Sequence, residues 1–461
     1  MRKKLKTAVY ILALVLIILA VCLKGNDTSP YLKSDYYRES CRRADSVRQN
    51  ALSLTDTLFA GFSRISITPD IGTSALSAND DKFSAVPMAG YGDRKGKPST
   101  GIHDSIFIKA AALRESGKLI ILVGADLLIM PPNITDSIEV ILRPHGIRRD
   151  QLFFTATHSH SSLGGWGPGY IGELFAGKEN KDLEKWIAQK TATAVLSAIA
   201  DLKPAKAGSG SFNAAAYTRN RVTGEAGTKN DEFIYISLDQ AYGKKAVIGS
   251  FSAHSTTLGD ENMEISADYP GYWERAIEGK GYDFAIFCAG SVGSQSPVGK
   301  GEGFEKAAYI GSSLADSTLR QLTSSYGSYT PRFSVAAVPL KLPPYHIRLT
   351  TSINLASFIS RKLMQEPSHV FIQAFRLDKL VWITMPGDFS GEIARQIKLE
   401  LAAQGFLSNI SSFNGSYAGY LIPGKYYYLD EYESKMMGWF GPAMGDFITD
   451  MAGRTAKIVT N

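Results

Sequence analysis

Seven histidines are spread through this 461-residue chain, and two of them stand two residues apart in Thr155-Ala-Thr-His-Ser-His-Ser-Ser-Leu-Gly-Gly165. In extended backbone, residues i and i+2 project to one face, so His158 and His160 can look into the same pocket. Neutral imidazole is a common zinc ligand, and a catalytic zinc needs about three protein donors with one position left open. The bland alternative is a pair of hydrogen-bonded histidines at a strand end. Gly164 and Gly165 just beyond would let the backbone approach a ligand closely. A third histidine, His254, follows an apolar run in Phe251-Ser-Ala-His-Ser-Thr-Thr-Leu258. Alone it reads as a satisfied buried histidine; beside two others in the same topological position it points toward metal. His103, His145, His346 and His369 have no such setting, and His103 reads as structural.

Two further segments carry chemistry. Phe287-Cys-Ala-Gly-Ser-Val-Gly-Ser-Gln-Ser-Pro297 is a small-residue loop after an apolar run. Its backbone N–H groups could stabilise an oxyanion and one of its serines could attack a carbonyl, or it is an ordinary Gly/Ser turn. It is not the Gly-x-Ser-x-Gly elbow of α/β-hydrolases. Met385-Pro-Gly-Asp-Phe-Ser-Gly391 places Asp388 after another apolar run, where it reads either as a metal ligand or as the N-cap of the helix that follows. Tyr417, Tyr420 and Tyr426 to Tyr428 crowd a glycine-containing loop that reads as packing or a substrate wall.

The elements that must position these residues alternate along the chain. Short apolar runs at 62–67, 119–123, 152–156, 246–251, 284–287 and 380–384 read as strands, and 134–142, 182–202, 270–277, 304–324 and 392–404 as helices. That alternation predicts an α/β domain, a mixed β-sheet core flanked by helices in a layered α/β sandwich. Candidate residues follow four of the strands, and open α/β sheets gather their sites at the carboxyl ends of strands. No internal repeat is visible.

Composition bounds the rest. With 44% hydrophobic and 20% charged residues the chain can bury a core, and its +6 charge is dispersed, which gives no reason to expect nucleic acid as a partner. The basic residues cluster only at Arg2, Lys3, Lys4 and Lys6, ahead of an uncharged stretch from Thr7 to Leu23. This is the pattern of a signal peptide or signal anchor over 1–25, with everything after Lys24 facing outward by the positive-inside rule. Leu19-Ala-Val-Cys22 also resembles a bacterial lipoprotein cleavage box, with Val21 where a small residue is preferred. Residues 26–58 read as a linker and a charged helix (33–57) that is either a stalk or packed on the main domain, and 59–461 as the main domain. Three cysteines, with no Cys-x-x-Cys, make neither a disulfide scaffold nor a thiolate metal site.

Taken in order, Gly61-Phe-Ser-Arg-Ile-Ser-Ile-Thr-Pro69, Thr157-His-Ser-His-Ser161, Asn220-Arg221, His254-Ser-Thr-Thr257, Ser296-Pro297, Pro386-Gly-Asp-Phe389, Tyr417-Ala-Gly-Tyr420 and Phe440-Gly-Pro442 resemble the neutral, non-lysosomal ceramidase family. The resemblance implies a Zn2+ held by His158, His254, Asp388 and Tyr420. It implies that His160 and Arg221 contact substrate or developing charge, with His160 transferring a proton, and that Ser296 is the nucleophile; a zinc-bound water is the other route. The substrate implied is a lipid-like N-acyl compound, most simply ceramide cut to a sphingoid base and a fatty acid at a membrane surface, by a domain anchored or exported outside the cytoplasm. A zinc amidase or esterase on a non-sphingolipid substrate, and a non-catalytic binding protein on the same scaffold, are the alternatives. The sequence departs from the family in having Asp388 where Glu is usual, and Ser291, Ser294 and Val298 where Asn or Asp is typical. The stretch after Phe440-Gly-Pro442 is short, so the immunoglobulin-like domain that follows in the best-known members is expected to be missing.

Overall fold

Alternating β-branched and aromatic runs need a second surface to bury their apolar faces, and here two mixed sheets supply it to each other. The computed structural model describes residues 2–50, 54–72, 77–323, 327–363 and 365–461. Part of the expected helix 33–57 and Ser324 at the end of the helix 304–324 lie outside the described residues.

The large sheet has eight strands in the spatial order Phe284–Ala289, Lys245–Phe251, Glu232–Gln240, Lys203–Asn213, Phe59–Ser66, Phe107–Glu115, Lys118–Ala125 and Leu152–Ala156. Its pairings are antiparallel except at the two ends, where Phe284–Ala289 runs parallel to Lys245–Phe251 and Leu152–Ala156 parallel to Lys118–Ala125. The small sheet orders Leu54–Thr55, Arg332–Pro339, Phe371–Leu377, Leu380–Thr384 and Leu407–Ser411, the last two parallel. Every strand predicted above is present. Two of the several strands that were not predicted are instructive: Phe107–Glu115 reads FIKAAALRE and Lys203–Asn213 reads KPAKAGSGSFN. Alanine, glycine and serine give these segments no intrinsic strand preference, so neighbouring strands impose it.

The large sheet coils until its two edge strands approach each other. Gly124 is required at that approach, because a Cβ there would lie 2.6 Å from Ile286 Cγ2. Twist of this kind accumulates over many strands, and here it brings the carboxyl end of Leu152–Ala156 beside that of Phe284–Ala289. Between the sheets lies a dry core in which Ile120, Leu122, Phe153, Ile248 and Ile286 meet Phe333, Phe375 and Trp382. The Phe153 and Phe375 rings cross edge to face at 5.6 Å.

Helices close both outer faces. Pro132–Leu142 and Lys181–Ala200 cover one half of the large sheet, and Asp268–Glu278 and Gly303–Leu322 the other. Gly391–Ala402 and Met444–Thr460 cover the small sheet. Asp35–Asn50 packs against that same core, with Tyr36 edge-on to Phe447 at 5.1 Å and the Tyr37 hydroxyl donating to Asp450, so of the two readings of this charged helix it is the one packed on the domain. Among the described residues one helix, Arg2–Cys22, is long and apolar enough to cross a membrane, and none of it is buried. All three cysteines are free, with Cys288 inside the core.

The inter-sheet core predicts a large response at Phe375. Truncating it with Phe375→Ala should cost about 3–5 kcal/mol by chemical denaturation, from lost transfer energy plus a cavity; a loss below about 1 kcal/mol would show that this contact does not hold the sheets together.

Candidate metal centre and active site

Two short parallel bridges assemble the site. Ser159 pairs with Ser255, which sets the loop after Leu152–Ala156 beside the loop after Lys245–Phe251. Asp388–Phe389 pairs with Tyr420–Leu421, with Asp388 directly opposite Tyr420. The first bridge draws His158, His160 and His254 together, and their candidate ligand atoms all lie within 4.8 Å of one another.

The His-x-His pair converges by a different route from the extended backbone expected. The strand ends at Ala156, and His158 takes a left-handed conformation with φ at 60°. Such a backbone costs on the order of 1–3 kcal/mol in a non-glycine residue and persists where the surroundings over-determine it. Here they do: His158 Nδ1 lies 2.7 Å from the Leu128 carbonyl and its ring stacks on Phe413 at 4.4 Å. Phe413 is itself left-handed, at φ 66°. His254 is held similarly, with Nδ1 2.8 Å from the Val292 carbonyl and 3.1 Å from that of Gln295. A carbonyl only accepts, so both rings carry the proton on Nδ1 and present a bare Nε2 to the site. Burial keeps both rings neutral, pushing His158 down to about 3 and His254 well below the usual imidazole range.

Asp388 Oδ1 is 3.4 Å from His158 Nε2 and 3.5 Å from His254 Nε2. The Tyr420 hydroxyl lies 3.1 Å from His254 Nε2. Donors about 2.0–2.2 Å from a tetrahedral zinc sit roughly 3.3–3.5 Å apart, so these edges match a zinc-sized cation. Asp388 Oδ1 is buried without a hydrogen-bond partner, while Oδ2 accepts from the Tyr417 hydroxyl at 2.7 Å. Burial raises the Asp388 carboxyl to about 7, opposed by the Tyr417 hydrogen bond and the Arg221 cation. Two bare imidazole nitrogens, an orphaned carboxylate oxygen and a phenol oxygen therefore fit a metal. The N-cap reading of Asp388 goes instead to Ser390, whose hydroxyl accepts from the Glu392 N–H.

His160 sits beside this set, its Nε2 3.3 Å from His158 Nε2 and its ring 4.8 Å from that of Tyr91. Burial, then the His158 ring and the Arg221 and Arg94 cations, hold it well below the usual range. Arg221 donates from Nη2 to the Tyr420 hydroxyl at 3.0 Å and pairs through Nε with Glu433 at 2.7 Å. Ser296 lies on Gln295–Pro297, one residue beyond the carbonyl that fixes His254, and is half-buried. It stays outside the wall of the cavity beside the cluster, which holds the other candidates apart from His254 and Arg221. Ser291 and Ser294 are structural. Ser291 hydrogen-bonds Asn230 and Ser252, and Ser294 accepts from the Gly391 N–H. Gly164 and Gly165 serve packing, since a Cβ on Gly164 would meet the Ala176 carbonyl oxygen at 2.2 Å and one on Gly165 the Leu183 side chain at 2.8 Å. His103 is structural as expected, stacked on Phe304 at 3.6 Å.

The cavity in front of the cluster has a volume of about 150 Å³ and an apolar wall that includes Leu128, Ile129, Trp166, Phe175, Tyr432 and Trp439. Sequence reasoning missed Phe413, Glu433 and the role of Tyr417. The Tyr-x-x-Tyr spacing was a usable signal for Tyr417; nothing local marks the other two.

A layered α/β sandwich with a buried His/Asp/Tyr cluster opening on an apolar cavity defines a candidate metallohydrolase. The chain belongs to the neutral/alkaline non-lysosomal ceramidase family, whose N-terminal model matches residues 82–325. Its fold is similar to that of the neutral ceramidase from Pseudomonas aeruginosa, with a TM-score of 0.72 and 19% identity over 87% of this chain and 74% of that one. A second solved structure, a ceramidase complexed with C2, matches with a TM-score of 0.71, 19% identity and the same coverage. No curated protein matches.

The donor set predicts one divalent cation bound per chain in a competition titration of chelator-treated protein. Tyr417→Phe, which removes the support of Asp388, should weaken that binding about 10–100-fold without unfolding the chain; unchanged affinity would remove Tyr417 from the metal's support.

Proposed function

We propose that this protein is a zinc-dependent hydrolase that cuts the amide bond of an N-acylated lipid, ceramide to sphingoid base plus fatty acid. The observation that carries the reading is the convergence of His158, His254, Asp388 and Tyr420 next to an apolar cavity. Membership of the ceramidase family, and the fold likeness to enzymes named as ceramidases, supply the substrate class.

His158, His254, Asp388 and Tyr420 would hold the metal. When bound, zinc supplies Lewis-acid polarisation of a carbonyl and lowers the pKa of a water toward about 7. His160, neutral at rest, accepts a proton at Nε2 from the attacking hydroxyl and returns it to the leaving amine as the C–N bond breaks. A water then opens the resulting acyl-serine ester, giving one proton through His160 back to the serine oxygen and releasing the fatty acid. Ser296 is the nucleophile of this scheme; it stands on Gln295–Pro297, beside the residues that line the cavity rather than among them. Arg221, fixed by Glu433 and Tyr420, offers a cation to charge developing on the carbonyl oxygen. The apolar wall takes a hydrocarbon chain and keeps water from it. The helix Arg2–Cys22 anchors the chain, with Arg2 to Lys6 on the cytoplasmic side and the catalytic domain outside.

Substitution separates the roles. His158→Ala and His254→Ala should each abolish zinc content and ceramide hydrolysis, and retention of zinc in both would overturn the ligand assignment. Ser296→Ala and His160→Ala should keep zinc yet lower kcat by about 10²-fold or more. Normal turnover of Ser296→Ala would hand the attack to water. A panel of N-acyl substrates in which ceramide is not preferred would favour a different lipid amide.

A further inference from the structure

The N-terminal helix is tied to the domain without a spacer. Leu23–Gly25, directly after Arg2–Cys22, pairs antiparallel with Ile353–Leu355, and the Ala356 N–H donates to the Cys22 carbonyl at 2.8 Å. The Asn26 side chain continues the clamp, donating to the Thr351 carbonyl and accepting from Asn354, both at 2.8 Å. Whatever the helix enters must therefore lie against the face that carries Ile353–Leu355.

That face leads to the cavity mouth through a chain of contacts. Ser357–Leu363 follows the clamped strand immediately and packs against the helix Gly169–Ala176. Residues 365–368 beyond it, together with Ile171, Gly172 and Phe175 of that helix, line the cavity. On the other side, Arg348 donates to the Ser434 and Tyr427 carbonyls, which ties the clamped hairpin to the segment Tyr432–Met436. Tyr432 lines the cavity and meets Phe175 at 6.3 Å. These same elements hold apolar side chains in solvent: Phe358 is 50% exposed, Met436 57% and Tyr170 70%, with Leu174, Leu363 and Tyr432 also uncovered. Scattered exposed apolar residues are ordinary, but a set on contiguous elements around a cavity mouth marks an interaction surface.

We propose that this face rests on the lipid bilayer that the N-terminal helix enters, so that the cavity opens toward acyl chains and an N-acyl lipid passes into it from the membrane. The direct strand clamp selects the bilayer as occupant, since an apolar helix fixed at Cys22 brings the membrane surface to within a few residues of Phe358. The substrate clause rests on the function proposed above; the docking of the face does not.

Two measurements on the full chain test this. In nanodiscs of phosphatidylcholine containing a phosphatidylcholine with a diazirine-bearing acyl chain, irradiation followed by peptide mapping should label 357–363 and 432–436 as well as the N-terminal helix. Label confined to the helix overturns the proposal. In phosphatidylcholine vesicles, the double variant Phe358→Ser with Met436→Ser should hydrolyse vesicle-embedded long-chain ceramide about fivefold more slowly, with less than about twofold change on a water-dispersed short-chain analogue. An equal change on both substrates, or none on either, overturns it. Wild-type protein that cleaves neither substrate refutes the proposed function, and the labelling still decides the docking face.

Discussion

Two parallel bridges of one or two residues hold this site together, and the rest of the architecture serves to make them. Ser159 against Ser255 joins the loop after one edge strand of the large sheet to the loop after the strand next to its other edge, and Asp388 against Tyr420 joins loops above the small one. Neither bridge is stable by itself, since a pairing this short returns too few hydrogen bonds for the backbone entropy it fixes. They exist because the coiled large sheet and the dry inter-sheet core deliver their loops already in place. Gly124 against Ile286, a contact between two residues without functional groups, is thus a determinant of where the histidines meet.

The electrostatics follow from the same enclosure. A neutral imidazole can turn either nitrogen to a ligand, and here backbone carbonyls decide for both His158 and His254. Those carbonyls belong to other loops, at Leu128 and Val292, so the tautomers are a property of the assembled fold. Burial also explains why Asp388 is raised rather than lowered in spite of Arg221: the enclosed carboxylate loses more hydration than Tyr417 and Arg221 return. The unpartnered Oδ1 and the left-handed backbone of His158 and Phe413 are costs that a bound cation would offset.

The aspartate at position 388 bears on the difference from the family pattern. A side chain one methylene shorter than glutamate needs its backbone closer to the histidines, and the pairing of Asp388 with Tyr420 fixes the backbone at that place. Oδ1 sits nearly equidistant from the two imidazole nitrogens. The shorter carboxylate is therefore compatible with the same cluster, and nothing at this position points to a decayed site.

The sequence by itself determined which segments carry chemistry: the His-x-His pair, the histidine after a second strand, the carboxylate after a third and the Tyr-x-x-Tyr loop. It could do so because apolar runs read as strands, and polar residues just past strand ends are the ones an α/β sheet gathers. It also determined the apolar N-terminal segment behind a basic cluster, whose signal is purely compositional. Only the tertiary structure decided that Phe107–Glu115 and Lys203–Asn213 are strands, that Ser390 and not Asp388 caps its helix, and that Ser296 stands back from the cavity wall. Only it joined Glu433 to Arg221 and set Phe413 under His158. Each of these depends on a contact between residues far apart in the chain, where local preference is weak and the neighbouring strand, carbonyl or ring sets the outcome.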